Sequence, residues 1–229
     1  MLFPWVGLFE QIRLANLYVH YDDVQFSKGS FVNRVQIKTV DGSKWLTVPL
    51  DNIKLGQEIR EVRLSDRQNW RESHLNLLKQ VYTKALYKQD MLDLVSSVYS
   101  QPATTICDLS INSISAICKY LNIAKPDDFL YSSKIGLTGT SSERVLDIVK
   151  YLDGNIYITG HGAKNYLDHF LFEDSNIKVE YMNYRKNVYP QLYGEFTPYV
   201  STLDLIANVG TTGNEFINSK TIYWKEAIK

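Results

Sequence analysis

The chain has 229 residues, which suits one large domain or two small ones. Hydrophobic residues make up 45% and charged residues 22%, close to globular averages, which excludes a wholly disordered chain, a collagen and a long heptad rod. The 25 Lys and Arg balance the 25 Asp and Glu, so we expect no extended nucleic-acid surface, although a local basic pocket is compatible with this balance.

Three further features indicate a cytoplasmic protein. No stretch approaches the roughly 18 apolar residues that span a bilayer, and the chain does not open with the basic and apolar segments of a secretory signal. Cys107 and Cys118 are its only cysteines, so we expect a reducing compartment and no disulfide framework. Both cysteines fall on one apolar helical stripe, and we expect them to be buried in the core rather than to act as nucleophiles.

The first third of the chain predicts short elements of both types. Aromatic and β-branched residues indicate strands, and Asp41-Gly42 between two extended stretches is a strong hairpin signal. The predicted elements are a helix at residues 8–16, strands at 17–21 and 59–64, and hairpin strands at 34–39 and 45–48.

The middle of the chain is predominantly helical. Apolar side chains recur every three or four positions in three stretches, which begin near Trp70, Met91 and Cys107 and predict three amphipathic helices. Ser65 or Asp66 can cap the first helix, because their side-chain oxygens accept from free backbone N–H groups. We therefore expect a helical insertion, or subdomain, at about residues 66–122.

The last third alternates between strands and helices. Strands are predicted at 129–132, 156–159 and 177–182, and helices at 141–152, 163–172 and 201–208. A strand, a helix and a strand joined by short links predict parallel pairing. The expected fold is a single α/β domain over residues 1–229, with a mainly parallel sheet flanked by helices, a helical insertion and a β-hairpin.

Asp22 and Asp23 follow the strand at 17–21 directly. In open α/β sheets, ligands bind at the carboxyl ends of strands. Adjacent residues of a strand point to opposite faces, so only one of the two Asp side chains need face a site. Such a carboxylate could hold Mg²⁺, accept a proton or bind a sugar hydroxyl. The alternative is a solvated turn with bonds between the Asp side chain and the backbone.

Polar side chains continue beyond this pair. Gln25, Lys28, Asn33 and Arg34 are interleaved with Phe26 and Phe31. Arg offers a rigid fork of donors for phosphate and Lys a mobile charge, while the amides could bind hydroxyl groups. Surface charge beside a half-buried strand is the alternative interpretation.

Two histidines are candidates for acid–base chemistry, since an unperturbed imidazole has a pKa of about 6.5. His74 lies on an apolar helical stripe, where a core histidine with both nitrogens bonded is the alternative. His161 lies in Gly160-His161-Gly162 between a predicted strand and helix. Glycines allow close approach to a ligand, but this turn is not a complete dinucleotide-binding motif, and a tight structural turn is the alternative.

Tyr189 and Gln191 flank Pro190 in a rigid extended segment. This segment could line a pocket with aromatic surface, as ligand sites often do. The following residues 201–204 fit a helix cap, with Gly210 ending the short helix.

Taken together and in order, these segments resemble the WbqC-like family over about residues 1–213. The matching pieces are Phe3-Pro4-Trp5-Val6-Gly7, Tyr21-Asp22-Asp23-Val24-Gln25-Phe26, Asn33-Arg34-Val35-Gln36-Ile37-Lys38, Trp45-Leu46-Thr47-Val48-Pro49, Trp70 with His74, Tyr157-Ile158-Thr159-Gly160 with Tyr166-Leu167, and Tyr189-Pro190-Gln191 through Ser201, Asp204 and Asn208-Val209-Gly210. The resemblance implies a bacterial protein of polysaccharide or O-antigen biosynthesis. The implied activity is acyl or glycyl (aminoacyl) transfer onto a nucleotide-linked amino sugar.

For such a transferase we expect three catalytic and eight substrate-binding residues. The catalytic candidates are His74, His161 and Asp23. The substrate-binding candidates are Asp22, Gln25, Lys28, Asn33, Arg34, Gly160, Tyr189 and Gln191. The alternative is a non-catalytic sugar-nucleotide-binding or assembly protein of the same pathway. The expected partner is a small molecule such as a nucleotide sugar, no cofactor or metal is identified, and homo-oligomerisation is left open.

One departure from the family concerns the N-terminus. Family members usually begin with a short strand and a His- or Met-Gln-Pro tripeptide before the aromatic-Pro-Trp piece, whereas Met1 already lies inside that motif here. We expect either an internal start or a chain without its first strand, and loss of a central strand would expose a sheet edge.

Overall fold

A computed structural model of the chain describes residues 1–124 and 128–228, and within them the protein is of mixed α/β type. The helices are α1 (Val6–Leu14), α2 (Trp70–Val81), α3 (Lys88–Ser100), α4 (Ile106–Leu121), α5 (Ser132–Ile135), α6 (Ser141–Tyr151), α7 (His169–Asp174), α8 (Thr202–Val209) and α9 (Trp224–Ala227). The strands are β1 (Tyr18–His20), β2 (Arg34–Thr39), β3 (Gly42–Thr47), β4 (Phe129–Tyr131), β5 (Ile156–Thr159), β6 (Lys178–Asn183) and β7 (Lys220–Tyr223).

The strands of the described residues form three small sheets. β1 and β4 are parallel, with Tyr18 opposite Phe129, and β2 and β3 form the antiparallel hairpin. In the third sheet β5 is parallel to β6, and β6 is antiparallel to β7. Parallel pairing is therefore present as two short pairs rather than as one continuous sheet.

Several sequence predictions are confirmed. The hairpin turns at Val40 and Asp41, since Thr39 is paired with Gly42. The three helices of the middle segment are present as α2, α3 and α4. The predicted strand–helix–strand unit is present as β5, α7 and β6, with the parallel pairing that such a connection requires.

Three predictions need correction. The strand predicted at 59–64 is wrong, because the N–H groups of Ile59 and Arg60 donate to Val24 and Asp22 of an irregular segment and form no ladder. The helix predicted at 163–172 is interrupted, because Asp168 caps a new helix by accepting from the N–H of Leu171. Strand β7 was not predicted, and it closes the third sheet against β6.

Two apolar clusters form the interior. The larger one joins α1, the hairpin, α2, α3, α4 and α8, so the helical segment shares its core with the first strands and the late helix. The smaller one lies between the β5–β6–β7 sheet, α6, α7 and Trp224. No helix of the described residues is long and apolar enough to cross a membrane.

The start of the chain is bonded to the start of α8. Ser201 Oγ donates to the carbonyl of Phe3 at 2.7 Å, and Thr202 Oγ1 donates to the carbonyl of Pro4 at 2.7 Å. Ser201 also caps α8 by accepting from the N–H of Leu203. These bonds fix the position of α1, whose first turn follows within two residues.

A buried carboxylate holds the segment that precedes α8. Asp204 is fully buried and accepts from the hydroxyls of Tyr82 at 3.0 Å and Tyr189 at 2.9 Å. Gln191 donates to the Tyr189 hydroxyl and accepts from Lys38 Nζ, at 2.9 and 3.0 Å. This network attaches residues 189–191 to α2, the hairpin and α8.

A cavity of about 490 Å³ separates β1 from β5. Residues 14–19 and 155–159 form two of its walls, and apolar side chains of α6, among them Val145, Ile148 and Val149, line it as well. Within the described chain β1 pairs only with β4 and β5 only with β6. The other edge of each strand is therefore free of a strand partner.

The Asp204 network predicts an unusual pH dependence of stability. Burial, the largest cause, raises the pKa of Asp204 from its ordinary value of 3.8 to about 6. Between these values the folded protein binds more protons than the unfolded chain, so the free energy of unfolding falls as pH rises from 4 to 6, by at most about 3 kcal/mol. The measurement is urea unfolding of the wild type and Asp204→Asn over this pH range.

Asp204→Asn should lack this pH-dependent part of the free energy of unfolding. The difference in free energy of unfolding between the variant and the wild type should therefore change with pH. Asp147→Asn, on the exposed face of α6, is the matched control and should follow the wild type. Parallel pH profiles for Asp204→Asn and the wild type would contradict the assignment.

Candidate functional site

A cluster of carboxylates and hydroxyls lies at the carboxyl ends of β1 and β4. Ser133 donates to Asp22 from its backbone N–H at 3.0 Å and from its hydroxyl at 2.7 Å. Ser132 Oγ lies 3.1 Å from Asp22 Oδ1 and 2.6 Å from Asp23 Oδ1. Parallel pairing places both strand ends at one edge, and this explains why residues more than 100 positions apart meet.

Arg144 of α6 joins this cluster. Its Nη2 donates to Asp23 Oδ2 at 2.6 Å, and the two side chains are 9% and 11% exposed. Burial acts to raise the pKa of Asp23, but the bonds from Arg144 and Ser132 outweigh it, so that the pKa lies below its ordinary value. Asp23 is therefore an ionised carboxylate next to a buried guanidinium.

The turn after β5 supplies an accessible histidine. Residues His161–Asn165 form a 3-10 turn that starts after Gly160, and a Cβ on Gly160 would lie only 2.8 Å from Gln11 Nε2. His161 is exposed. Partial burial and then the charge of Lys164 lower its pKa, a hydrogen bond to the backbone of Met182 opposes this, and the charge of Lys186 lowers the pKa further. The net shift is downward and favours the neutral imidazole.

The ends of β1 and β5 lie on the same side of the protein. Tyr21, directly after β1, is covered by Arg144, whose guanidinium carbon is 5.0 Å from the ring centroid. Tyr21 and Thr159, the last residue of β5, line the same cavity. Tyr181 of β6 lies under Lys164, with Nζ 5.7 Å from its ring centroid, and 6.4 Å from the ring of His161. The predicted Asp22 and Asp23 thus follow β1, and Gly160 and His161 follow β5, next to a cavity that Tyr21 and Thr159 both line.

A cleft of about 210 Å³ adjoins the carboxylate cluster, lined by His20, Tyr21 and Asp22 and by Cys107 and Ser110 of α4. Burial, in the first place, lowers the pKa of His20 to about 4 and raises that of Cys107 to about 11. Both groups are therefore neutral at pH 7. Cys107 and Cys118 are buried and unpaired, as expected for cysteines in the core.

The predicted residues between Gln25 and Arg34 are dispersed. Gln25 and Lys28 are exposed, whereas the amide of Asn33 donates to the carbonyl of Val48 at 2.9 Å. The guanidinium carbon of Arg34 lies 4.3 Å from the ring centroid of Trp45. Asn33 and Arg34 thus make contacts within the hairpin and the loop before it.

His74, Tyr189 and Gln191 lie apart from the strand ends, in networks of their own. His74 is buried, and its ring nitrogens lie 2.8 Å from the hydroxyl of Tyr99 and 3.2 Å from the carbonyl of Thr47. Tyr189 and Gln191 belong to the network of Asp204. The polar groups of all three are bonded within the protein.

The sequence interpretation missed Ser132, Ser133, Arg144, Lys164 and Lys186. Ser132 is the last residue of the strand predicted at 129–132 and Ser133 follows it, so the rule that selected Asp22 and Asp23 could have found them. Arg144 lies four positions before Ile148 on the buried face of α6, and a charge on an apolar stripe is a usable signal. For the two lysines the sequence holds no comparable signal. No group of three or more His, Cys, Asp or Glu suited to a metal ion occurs in residues 1–124 and 128–228.

The Asp23–Arg144 pair predicts a strong effect on stability. Arg144→Gln leaves a carboxylate without its cation in a nearly buried site, and we expect a loss of about 3 kcal/mol in the free energy of unfolding, measured with urea. The double variant Arg144→Gln with Asp23→Asn should lose less free energy of unfolding than the sum of the losses in the two single variants.

The control is Arg71→Gln, since Arg71 and Asp66 form an ion pair with side chains 33% and 85% exposed. Its effect should be about 0.5 kcal/mol or less. Similar losses in the two Arg variants would show that burial of the Asp23–Arg144 pair has no energetic consequence.

Comparisons with known proteins agree with the resemblance seen in the sequence. The model of the WbqC-like protein family matches residues 1–215. The chain is 32% identical over 219 residues to "Uncharacterized protein Rv1507c" of Mycobacterium tuberculosis, covering 93% of each chain. No solved structure matches significantly. With nearly its whole length covered by the family model, the chain belongs to the WbqC-like protein family.

Proposed function

We propose that the protein transfers an acyl or aminoacyl group onto a nucleotide-linked amino sugar in cell-surface polysaccharide biosynthesis. The single observation that supports this most is that the ends of β1 and β5 face one cavity, which Tyr21 and Thr159 both line. An ionised carboxylate follows β1, and a histidine and two lysines follow β5 and β6. The family membership supports the pathway through the resemblance described above.

The proposed chemistry assigns the base to His161. The sugar amine attacks the carbonyl carbon of an activated acyl donor, an ester or thioester, and a C–N bond forms while the bond to the leaving group breaks. His161 takes the proton that the amine loses and returns it to the leaving group. Lys164, whose Nζ also donates to the carbonyl of Ala227, is assigned to stabilise the negative charge that develops on the carbonyl oxygen of the donor.

The remaining polar groups are proposed to position the sugar. Asp23 is held by Arg144 and Ser132, so its orientation is fixed and an oxygen can accept from a sugar hydroxyl. Gln25 is exposed two residues further on and its amide suits the same role. His74 is not included in this mechanism, because both of its ring nitrogens already have partners.

A non-catalytic sugar-nucleotide-binding protein is the second candidate. The observation that favours it is the extent of internal bonding at Asp22, whose two carboxylate oxygens accept from Ser132 and Ser133. A carboxylate whose two oxygens already accept hydrogen bonds within the protein suits a rigid binding surface as well as an active site. Turnover distinguishes the two candidates.

The test is a transfer assay, read by mass spectrometry, with a nucleotide-linked amino sugar and either an acyl thioester or an aminoacyl ester. His161→Ala should lower the rate about 10²-fold or more while sugar-nucleotide binding is retained. Because the pKa of His161 is lowered below its ordinary value of 6.5, chiefly by burial, the wild-type rate should fall to half at a pH below 6.5, where the base becomes protonated.

His74→Gln is the matched comparison, with rates expressed per folded molecule. It should lower stability and leave the rate close to that of the wild type. A larger rate loss in His74→Gln than in His161→Ala would reverse the assignment of the base. Binding of the sugar nucleotide without product from either donor would favour the binding protein.

A further inference from the structure

An aromatic cluster lies at the start of α1, beside the site. The ring of Trp5 lies 5.0 Å from that of Tyr184, nearly perpendicular to it, and 5.8 Å from that of Tyr199. Tyr199 is 52% exposed, and the other two rings are partly exposed. Neither the sequence motifs nor the proposed mechanism gives these three rings a role.

The cluster is held in place from several sides. A Cβ on Gly7 would lie 2.2 Å from the indole ring of Trp5, so the ring covers the backbone of α1 at a position that only glycine permits. Trp5 also forms a β-bridge with Ser201, and the hydroxyl of Tyr184 donates to the carbonyl of Pro198 at 3.2 Å. The rings are therefore preorganised, which lowers the entropic cost of binding to them.

A cation completes the cluster. Lys186 Nζ lies 5.2 Å from the ring centroid of Tyr199. Its backbone has φ +54°, a left-handed conformation that lysine rarely adopts and that often marks functional positions. Bonds on both sides hold it there, from the N–H of Arg185 to Ser219 Oγ and from the side chain of Asn187 to the carbonyl of Phe216.

Lys186 links this cluster to the turn of His161. The segment 184–186 leaves the carboxyl end of β6, and Gly160 and His161 leave that of its parallel neighbour β5. Lys164 and Lys186 both act electrostatically on His161. The three aromatic rings and the two lysines thus place flat apolar surface beside positive charge. Such a combination is complementary to a flat base that carries phosphates.

We propose that Tyr199 and Trp5 form a stacking subsite for the base of a nucleoside diphosphate, with its phosphates between Lys186 and the turn of His161. This inference rests on the proposed function and specifies which part of the donor or acceptor the protein recognises. Stacking on aromatic rings tolerates different bases, and the lysines act on the phosphates as mobile charges.

The test is calorimetric titration of the full chain with UDP, ADP and GDP, and with pyrophosphate and uridine as fragments. At least one nucleoside diphosphate should bind more tightly than pyrophosphate. Tyr199→Ala should weaken nucleoside diphosphate binding about fivefold or more and leave pyrophosphate binding unchanged. Tyr199→Phe should retain binding, and Lys186→Gln should weaken both nucleoside diphosphate and pyrophosphate.

Tyr151→Ala is the control, since Tyr151 is a 63% exposed tyrosine at the end of α6, and it should bind like the wild type. The proposal is overturned if no nucleoside diphosphate binds, or if Tyr199→Ala, shown to be folded by circular dichroism, binds the diphosphates as the wild type does. It is equally overturned if that variant loses pyrophosphate and nucleoside diphosphate binding to the same extent. If Tyr199→Ala transfers the acyl group to a nucleotide-linked amino sugar with the KM and kcat of the wild type, this subsite alone is rejected and the proposed function stands.

Discussion

The contact between Asp23 and Arg144 connects the parts of the protein that the candidate site requires. It joins the end of β1 to α6, the helix that leads into β5, and Ser132 adds the end of β4 through the same carboxylate. In a nearly buried setting a charge without its counter-ion is strongly unfavourable. The ends of β1 and β4 and helix α6 therefore have one favoured arrangement.

Charge is distributed unevenly around the site. At the β1 and β4 ends two carboxylates accept hydrogen bonds from serines and an arginine, whereas the β5 and β6 ends carry Lys164, which donates to the carbonyl of Ala227, and Lys186. A chain with a formal charge of zero thus holds a local excess of positive charge. Its total composition argues against an extended basic surface, and an anion as small as a diphosphate needs only such a local group.

The sequence allows local elements to be predicted well and long-range contacts poorly. The hairpin follows from the turn preference of Asp41-Gly42, and α2, α3 and α4 follow from apolar periodicity, because both signals lie within a few residues. The segment 59–64 has the alternation of a strand, but its N–H groups donate to residues 22 and 24, which a local pattern cannot reveal. For the same reason His74 could not be distinguished from an accessible base until Tyr99 and Thr47 were seen beside it. Asp22 and Asp23 were found because ligands bind at the carboxyl ends of strands, and His161 because it lies in a glycine-flanked turn after a predicted strand, whereas no local signal points to Lys186.

The cavity between β1 and β5 has a consequence for hydrogen exchange. Backbone N–H and C=O groups in the interior require partners, and within the described chain no strand covers the edges of β1 and β5 that face this space. Amides on these two edges belong to strands, yet without a strand partner they should exchange their hydrogens with solvent faster than those of β6, which is paired on both sides.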